Sequence, residues 1–248
     1  MSIRHFLNEA VKFPLEEINE LDFSNYSYSP PLLGVFFSSF INKNSNFSPV
    51  NYDRNEYLGT INFPGGIKLD EIIDWKVILE SYRTKSYLPI ICFSTSKEES
   101  VTFTRDNIIS HVNAVIRSIT NIPTNYFSAI SYLISELTDN IVEHSKSETG
   151  WISFQYYRNK GFLDLCIADT GIGLLKSYQE YRGEKDFSHI TNHLEALDNV
   201  IQGNSTKHLN ERGFGVHTSR EIIINGLGGT LCLCGRIRLF GVDSRFTG

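Results

Sequence analysis

The stretch Phe162-Leu-Asp-Leu-Cys-Ile-Ala-Asp-Thr-Gly-Ile-Gly173 decides the fold. Phe162 to Ala168 is an apolar run of strand length. It ends in Asp169 and a turn that holds Gly171 and Gly173. Glycine lets a backbone approach a ligand closely and take φ > 0. A single carboxylate at a strand end can accept a hydrogen bond from an exocyclic amine, which suits an adenine. Asp and Gly after a strand are equally ordinary turn chemistry, so the neighbouring segments have to decide.

Upstream, Gly150 to Tyr157 reads as the partner strand, joined through Arg158-Asn-Lys-Gly161, a glycine-containing hairpin loop. Helical spacing precedes it. Ile108, Ile109, Val112, Val115, Ile116 and Ile119 recur on one face, with Thr104 predicted as the cap and Asp106 in the first turn. Asn121-Ile-Pro-Thr124 breaks that helix, and a second is predicted from Asn125 to His144. Helix, helix, hairpin is α+β order, not the alternation of a doubly wound fold.

The N-terminal part reads differently. Residues 1–60 are rich in Asn, Ser, Tyr and Phe, and Leu32-Leu-Gly-Val-Phe-Phe37 has the composition of a strand. Tyr57 to Phe63 is predicted as a strand, Pro64-Gly-Gly66 as a turn, Leu69 to Tyr82 as a helix and Leu88 to Phe93 as a strand. Strand, helix, strand implies a right-handed crossover in a small α/β domain. Ser94 to Ser100 is the expected linker, which sets domains at 1–100 and 104–248. There is no internal repeat.

Composition bounds the function. The 248 residues suffice for one large domain or two small ones. Hydrophobic content of 41% and charged content of 21% are those of a globular protein. A net charge of -5 gives no electrostatic reason to expect nucleic acid. No apolar run approaches the ~20 residues of a membrane span. Met1-Ser-Ile-Arg-His-Phe-Leu-Asn-Glu9 lacks the pattern of a signal peptide, so a cytoplasmic location is expected. Cys92, Cys166, Cys232 and Cys234 lack zinc spacing and read as small buried hydrophobes in a reducing compartment.

Three further elements carry candidate chemistry. On the helix Ile130-Ser-Tyr-Leu-Ile-Ser-Glu-Leu-Thr-Asp-Asn-Ile-Val-Glu-His144, apolar Ile130, Leu133, Ile134, Leu137 and Ile141 form one stripe. Glu136, Asn140 and His144 are each four apart and share another face. The carboxylate can orient a water or take its proton. The carboxamide oxygen suits a hard cation such as Mg²⁺. The same pattern also describes a solvated helix face. Glu211-Arg-Gly-Phe-Gly215 precedes a predicted helix, an arrangement that binds anions, and Ser205-Thr-Lys207 lies upstream. It does not complete G-x-G-x-x-G, and no Walker A sequence occurs. Gly226-Leu-Gly-Gly-Thr230 reads as a helix stop leading into a strand, where Thr230 is either a ligand contact or an ordinary strand threonine.

Glu-x-x-x-Asn on a helix, Asp-x-Gly-x-Gly after a strand, Gly-x-Gly before a helix and Gly-Gly-Thr after it follow one another in this order. Together they resemble the ATP-binding domain shared by gyrase, the ninety-kilodalton heat-shock chaperone, sensor histidine kinases and the mismatch-repair ATPases. The resemblance covers roughly residues 104–235, and Ile134 to His144 looks closest to the anti-sigma-factor serine kinases and sensor kinases. It implies a Bergerat-type fold, a two-layer sandwich whose mixed sheet is covered on one face by helices. It implies Mg-ATP as ligand, with Asp169 on the adenine amino group, Gly171 and Gly173 beside the nucleotide, Asn140 on Mg²⁺ and Glu136 as the base. Gly213 and Gly215 then lie by the phosphates, Lys207 and Arg212 are phosphate partners, and Thr230 helps at the adenine. A mobile lid of about Leu174 to Arg212 is expected to order on ATP binding. The resemblance assigns His144 no role.

The chain also departs from that family. His5 lacks the paired helices of a phosphoacceptor, which argues against a complete sensor kinase. No transducer domain is expected after the module, which argues against a gyrase-like or mismatch-repair-like machine. The chain ends soon after Arg236-Ile-Arg-Leu-Phe-Gly241, where the family has a further strand, so a shorter sheet or a truncated chain is expected. The N-terminal unit is loosely similar to the anti-sigma-antagonist fold, in which Ser38, Ser39 or Ser94 would be the acceptor. Otherwise it is a partner-docking scaffold. The expected function is a regulatory protein kinase or slow ATPase, acting on a protein partner or as a homodimer. The alternative is a non-catalytic ATP/ADP switch that controls a partner or dimer. A third reading is an interaction protein with a degenerate pocket.

Overall fold

The computed structural model describes residues 20–24, 31–204, 206, 215–234 and 239–243. They fall into two compact units. One takes in described residues up to 142 together with 146–171; the other takes in 143–145 and described residues from 172 onward.

The first unit opens with a short strand, β1 (Glu20–Asp22), and a helix, α1 (Pro31–Lys43). Proline starts α1, where its missing N–H costs nothing. Strand β2 (Ser48–Val50) pairs parallel with β1. Helix α2 (Glu56–Thr60) follows, capped by the Asn55 side chain, which accepts from the Tyr57 and Leu58 N–H groups at 3.0 and 3.2 Å. Strand β3 (Ile67–Lys68) leads through a 3₁₀ turn at Leu69–Glu71 and helix α3 (Trp75–Ser81) into strand β4 (Tyr87–Ser94). Helices α4 (Glu99–Ile119) and α5 (Thr124–Asn140) come next. Strands β5 (Thr149–Tyr157) and β6 (Phe162–Asp169) close the unit.

The central sheet has four strands in the order β3-β4-β5-β6. β3 and β4 are parallel, and the other pairs are antiparallel. The fold is therefore α+β with a mixed sheet packed on helices, as expected. The hairpin register sets Gly150 opposite Asp169 and Tyr157 opposite Phe162. Ile91, Phe93, Ile152 and Phe154 face Ile108, Val112, Ile116 and Ile134 of α4 and α5 in one buried core.

A further helix covers the other face. Strand alternation turns Trp151 and Ser153 away from that core, and α1 packs over β5 and β6. Gly34 makes the approach possible: a Cβ there would lie 3.1 Å from Ile61 Cδ1 and 3.3 Å from Ile90 Cδ1. Leu33, Val35, Phe37, Ser38 and Ser39 of α1 are all buried. Ser38 and Ser39 are thus closed to a phosphate donor, unlike the acceptors the sequence suggested.

Several local expectations are corrected. Leu32 to Phe37 is helix rather than strand, because α1 is buried on most of its circumference and shows no polar face to mark a 3.6-residue period. Tyr57 to Phe63 is not a strand, because Asn55 caps a helix there. The predicted helix 69–82 is broken near Ile72 and starts again at Trp75. Helix α4 begins at Glu99, so Thr104 lies inside it and donates to the Ser100 carbonyl at 3.0 Å instead of capping. Residues on both sides of the expected linker join one sheet, since β4 hydrogen-bonds β5.

The second unit holds α6 (Gly173–Glu180), α7 (His193–Ile201) and α8 (Gly215–Glu221), a π-helical turn at Ile222–Gly226, and the strands β7 (Thr230–Cys234) and β8 (Leu239–Asp243). Asn192 and Glu195 form a full capping box on α7. Tyr178, Ile190, Ala196, Leu197 and Val200 make the core of this unit. The expected lid segment thus carries two helices, α6 and α7. β8 pairs antiparallel with β7, so the run that includes Leu239 to Gly241 is itself a strand. Among the described residues no helix is long and apolar enough to cross a membrane.

Candidate functional site

Helix α5 presents its apolar stripe inward. Leu133, Ile134 and Thr138 are buried, and Ile130 packs against the same core. Glu136 and Asn140 sit half-buried beside that stripe. Glu136 Oε2 and Asn140 Nδ2 are buried and meet no hydrogen-bond partner among the described residues. An unpaired buried polar atom costs about 1–3 kcal/mol. The two lie one turn apart on α5; Asn113, Ser131 and Trp151 also carry buried polar atoms without a partner among the described residues, so it is the pairing of a carboxylate with a carboxamide that marks this place. The two ends of a carboxamide exchange by rotation, so the Asn140 position can present its oxygen to a cation. The Tyr132 hydroxyl lies one turn before Glu136, and its pKa is raised by burial, then by the Glu136 charge and by a hydrogen bond to the Glu136 carboxylate, whose Oε2 is the atom left without a partner. Sequence reading passed over Tyr132, although its i−4 spacing from Glu136 was visible.

After Asn140 the helix changes pitch. Ile141–Ser145 form a π-helical turn, which takes His144 out of the 3.6-residue register. His144 Nε2 lies 3.5 Å from Glu143 Oε2. The single face proposed for Glu136, Asn140 and His144 therefore ends at Asn140.

Asp169 closes β6. Its side chain is exposed at the strand end, yet the surrounding protein desolvates the carboxyl and raises its pKa; the Gly171 N–H and the Lys43 charge act in the opposite direction. Oδ1 accepts the Gly171 N–H at 2.7 Å, an Asx turn that leaves the carboxylate further acceptor capacity. Ser147 supports the turn from below: its hydroxyl lies 2.9 Å from Thr170 Oγ1 and accepts the Thr170 N–H at 3.3 Å. Thr95 in turn donates its hydroxyl to the Ser147 carbonyl. Lys43 Nζ, from α1, donates to the carbonyls of Thr170 and Gly171, the latter at 3.2 Å. Sequence reading missed Lys43, because no local pattern connects residue 43 with residue 170.

Glu136, Asn140, Asp169 and Gly171 all belong to the first unit, where α5 packs against β6. Gly173, Gly215 and Thr230 belong to the second. Gly173 has φ 75, and a Cβ there would meet nothing within 4 Å, so conformation rather than space requires glycine. Gly215, with φ 55, starts α8, and Thr230 starts β7 in an exposed position. Lys207, Arg212 and Gly213 lie outside the described residues. No three His, Cys, Asp or Glu side chains group as metal ligands among the described residues. A cation at Asn140 would take its remaining oxygens from phosphates and water, which is the habit of Mg²⁺.

Residues 127–247 match the family model described as Histidine kinase-, DNA gyrase B-, and HSP90-like ATPase. This part of the chain is similar to that ATPase family. No curated protein and no solved structure matches the chain. The ATPase segment begins inside α5 and carries β5 and β6, while β3, β4 and Lys43 lie outside it. ATP-binding is thus the property shared by the family, and the orphaned polar atoms of Glu136 and Asn140 fit a bound nucleotide and its metal.

Proposed function

We propose that the chain is an Mg-ATP-dependent regulatory phosphotransferase or slow ATPase. The observation that carries this reading is the pair of buried, unpaired polar atoms at Glu136 and Asn140, on the same unit as the Asp169 turn. Asp169 accepts the exocyclic amine of adenine, an arrangement in which guanine would set its carbonyl oxygen against a carboxylate. Asn140 holds Mg²⁺, which supplies charge neutralisation at the phosphates. Glu136 takes the proton from the attacking water or hydroxyl as that oxygen bonds to the γ-phosphorus and the bond to the ADP oxygen breaks. For Lys207, Arg212, Gly213 and Gly215 at the phosphates, and Thr230 at the adenine, the support is the sequence resemblance alone.

Incubation with γ-labelled ATP tests it. Glu136→Ala is expected to lower the release or transfer of label by roughly 100-fold or more while leaving nucleotide binding nearly intact. Equal turnover by wild type and Glu136→Ala would remove Glu136 from the chemistry. Free phosphate, label on the chain and label on a co-purified protein separate an ATPase, an autokinase and a protein kinase.

The switch reading is favoured by one specific contact, the hold of Lys43 on the Asp169 turn from a helix outside the ATPase segment. In that case Asp169→Asn abolishes both binding and the effect on a partner or dimer, while Glu136→Ala spares both.

A further inference from the structure

We propose that Lys43 is a positioning residue of the nucleotide site, fixing the turn that presents Asp169 and making α1 a determinant of nucleotide affinity. The proposal rests on the assignment of Asp169 to the adenine amino group.

The geometry is reciprocal. Asp169 Oδ1 holds the Gly171 N–H at 2.7 Å, and the Lys43 ammonium holds the carbonyls of Thr170 and Gly171. Both polar edges of the Thr170–Gly171 segment are thereby tied, one to the carboxylate and one to the cation. A turn held on both edges presents the remaining acceptor of Asp169 in one direction, so less order has to be imposed when a ligand arrives. Lys43 can do this because α1 is firmly seated: Leu33, Val35 and Phe37 are buried, and Gly34 brings the helix close to Ile61 and Ile90. Lys43 itself is exposed at the end of α1, so replacing it leaves that packing intact.

The charge has a second effect. The carboxyl of Asp169, exposed at the strand end, is raised by partial desolvation, and Lys43 is the charged side chain that works against this among the described residues. Gly150, opposite Asp169 in β5, has no side chain, and Thr170, Ser147 and Thr95 around the turn are uncharged. Lys43 therefore helps keep the adenine acceptor ionised. α1 lies outside the segment that matches the ATPase family. Whatever shifts α1 would shift nucleotide affinity.

The test is displacement of a fluorescent ATP analogue by Mg-ATP on the full chain, measured from neutral pH downward. Lys43→Gln is expected to weaken binding by roughly 3- to 30-fold. Its acid limb, where Asp169 takes up a proton, should move to higher pH. Lys43→Arg should restore most of both. Unchanged affinity and an unchanged acid limb in Lys43→Gln overturn the proposal. So does a loss of affinity that Lys43→Arg does not restore and that leaves the acid limb in place, because that pattern belongs to a merely structural residue. Failure of the underlying reading looks different: wild type would not bind, or Asp169→Asn would bind as wild type does, and the role of Lys43 would fall with it.

Discussion

Asp164 lies on the middle of β6, opposite Gln155 and one strand position from the Leu163 and Leu165 side chains that join the helical core. Burial pushes its carboxyl up to about 6. A carboxyl raised above its unfolded value disfavours the fold wherever it must be ionised. The penalty is fully present above pH 6, shrinks as pH falls from there to the unfolded value near 3.8, and is absent below it. Asp164→Asn should therefore raise stability at neutral pH by on the order of 1–2 kcal/mol, with the gain fading in acid. Chemical denaturation at neutral pH and near pH 4 checks this, and a gain that persists unchanged in acid would contradict it. Glu136, Asn140 and Asp169 were legible as single residues because helical spacing and the strand-end turn are local signals. Lys43 and Ser147 were not, since both reach the Asp169 turn only through packing.

At the scale of elements, α1 is where sequence and structure part. Its apolar run has the composition of a strand, and a helix buried nearly all round offers no polar stripe to correct that reading. Gly34 is the residue that suits it to its place. Gly34→Leu should push the helix off Ile61 and Ile90 and destabilise the chain by about 1–3 kcal/mol, read from urea unfolding. A neutral effect would mean that α1 does not depend on close approach. Helices α4 and α5 were readable because each has one buried stripe, and β5 and β6 because two apolar runs of strand length flank a glycine-containing hairpin loop. The π-helical turn after Asn140 was not, because it alters the period without altering the composition.

For the whole molecule, the informative fact is that β4 stands between β3 and β5 in one sheet while the ATPase-family segment starts only at residue 127. β4 contributes Ile91 and Phe93 to the core that α4 and α5 cover. A fragment of residues 104–248 would lack this strand, lose those side chains and expose the edge of β5. It should not give a cooperative thermal transition; a sharp one would show that the C-terminal part folds alone, as its sequence suggested. The division near residue 100 looked natural because Ser94 to Ser100 is polar, and a connection between a strand and a helix is as polar as a linker between domains.

The central claim is that the Asp169 turn and the Glu136–Asn140 face hold Mg-ATP. Calorimetric titration of the full chain with Mg-ATP tests it most directly. Saturable binding in wild type, lost in Asp169→Asn and dependent on Mg²⁺ through Asn140, is the predicted result. No heat of binding at millimolar nucleotide, or equal binding by wild type and Asp169→Asn, would contradict it.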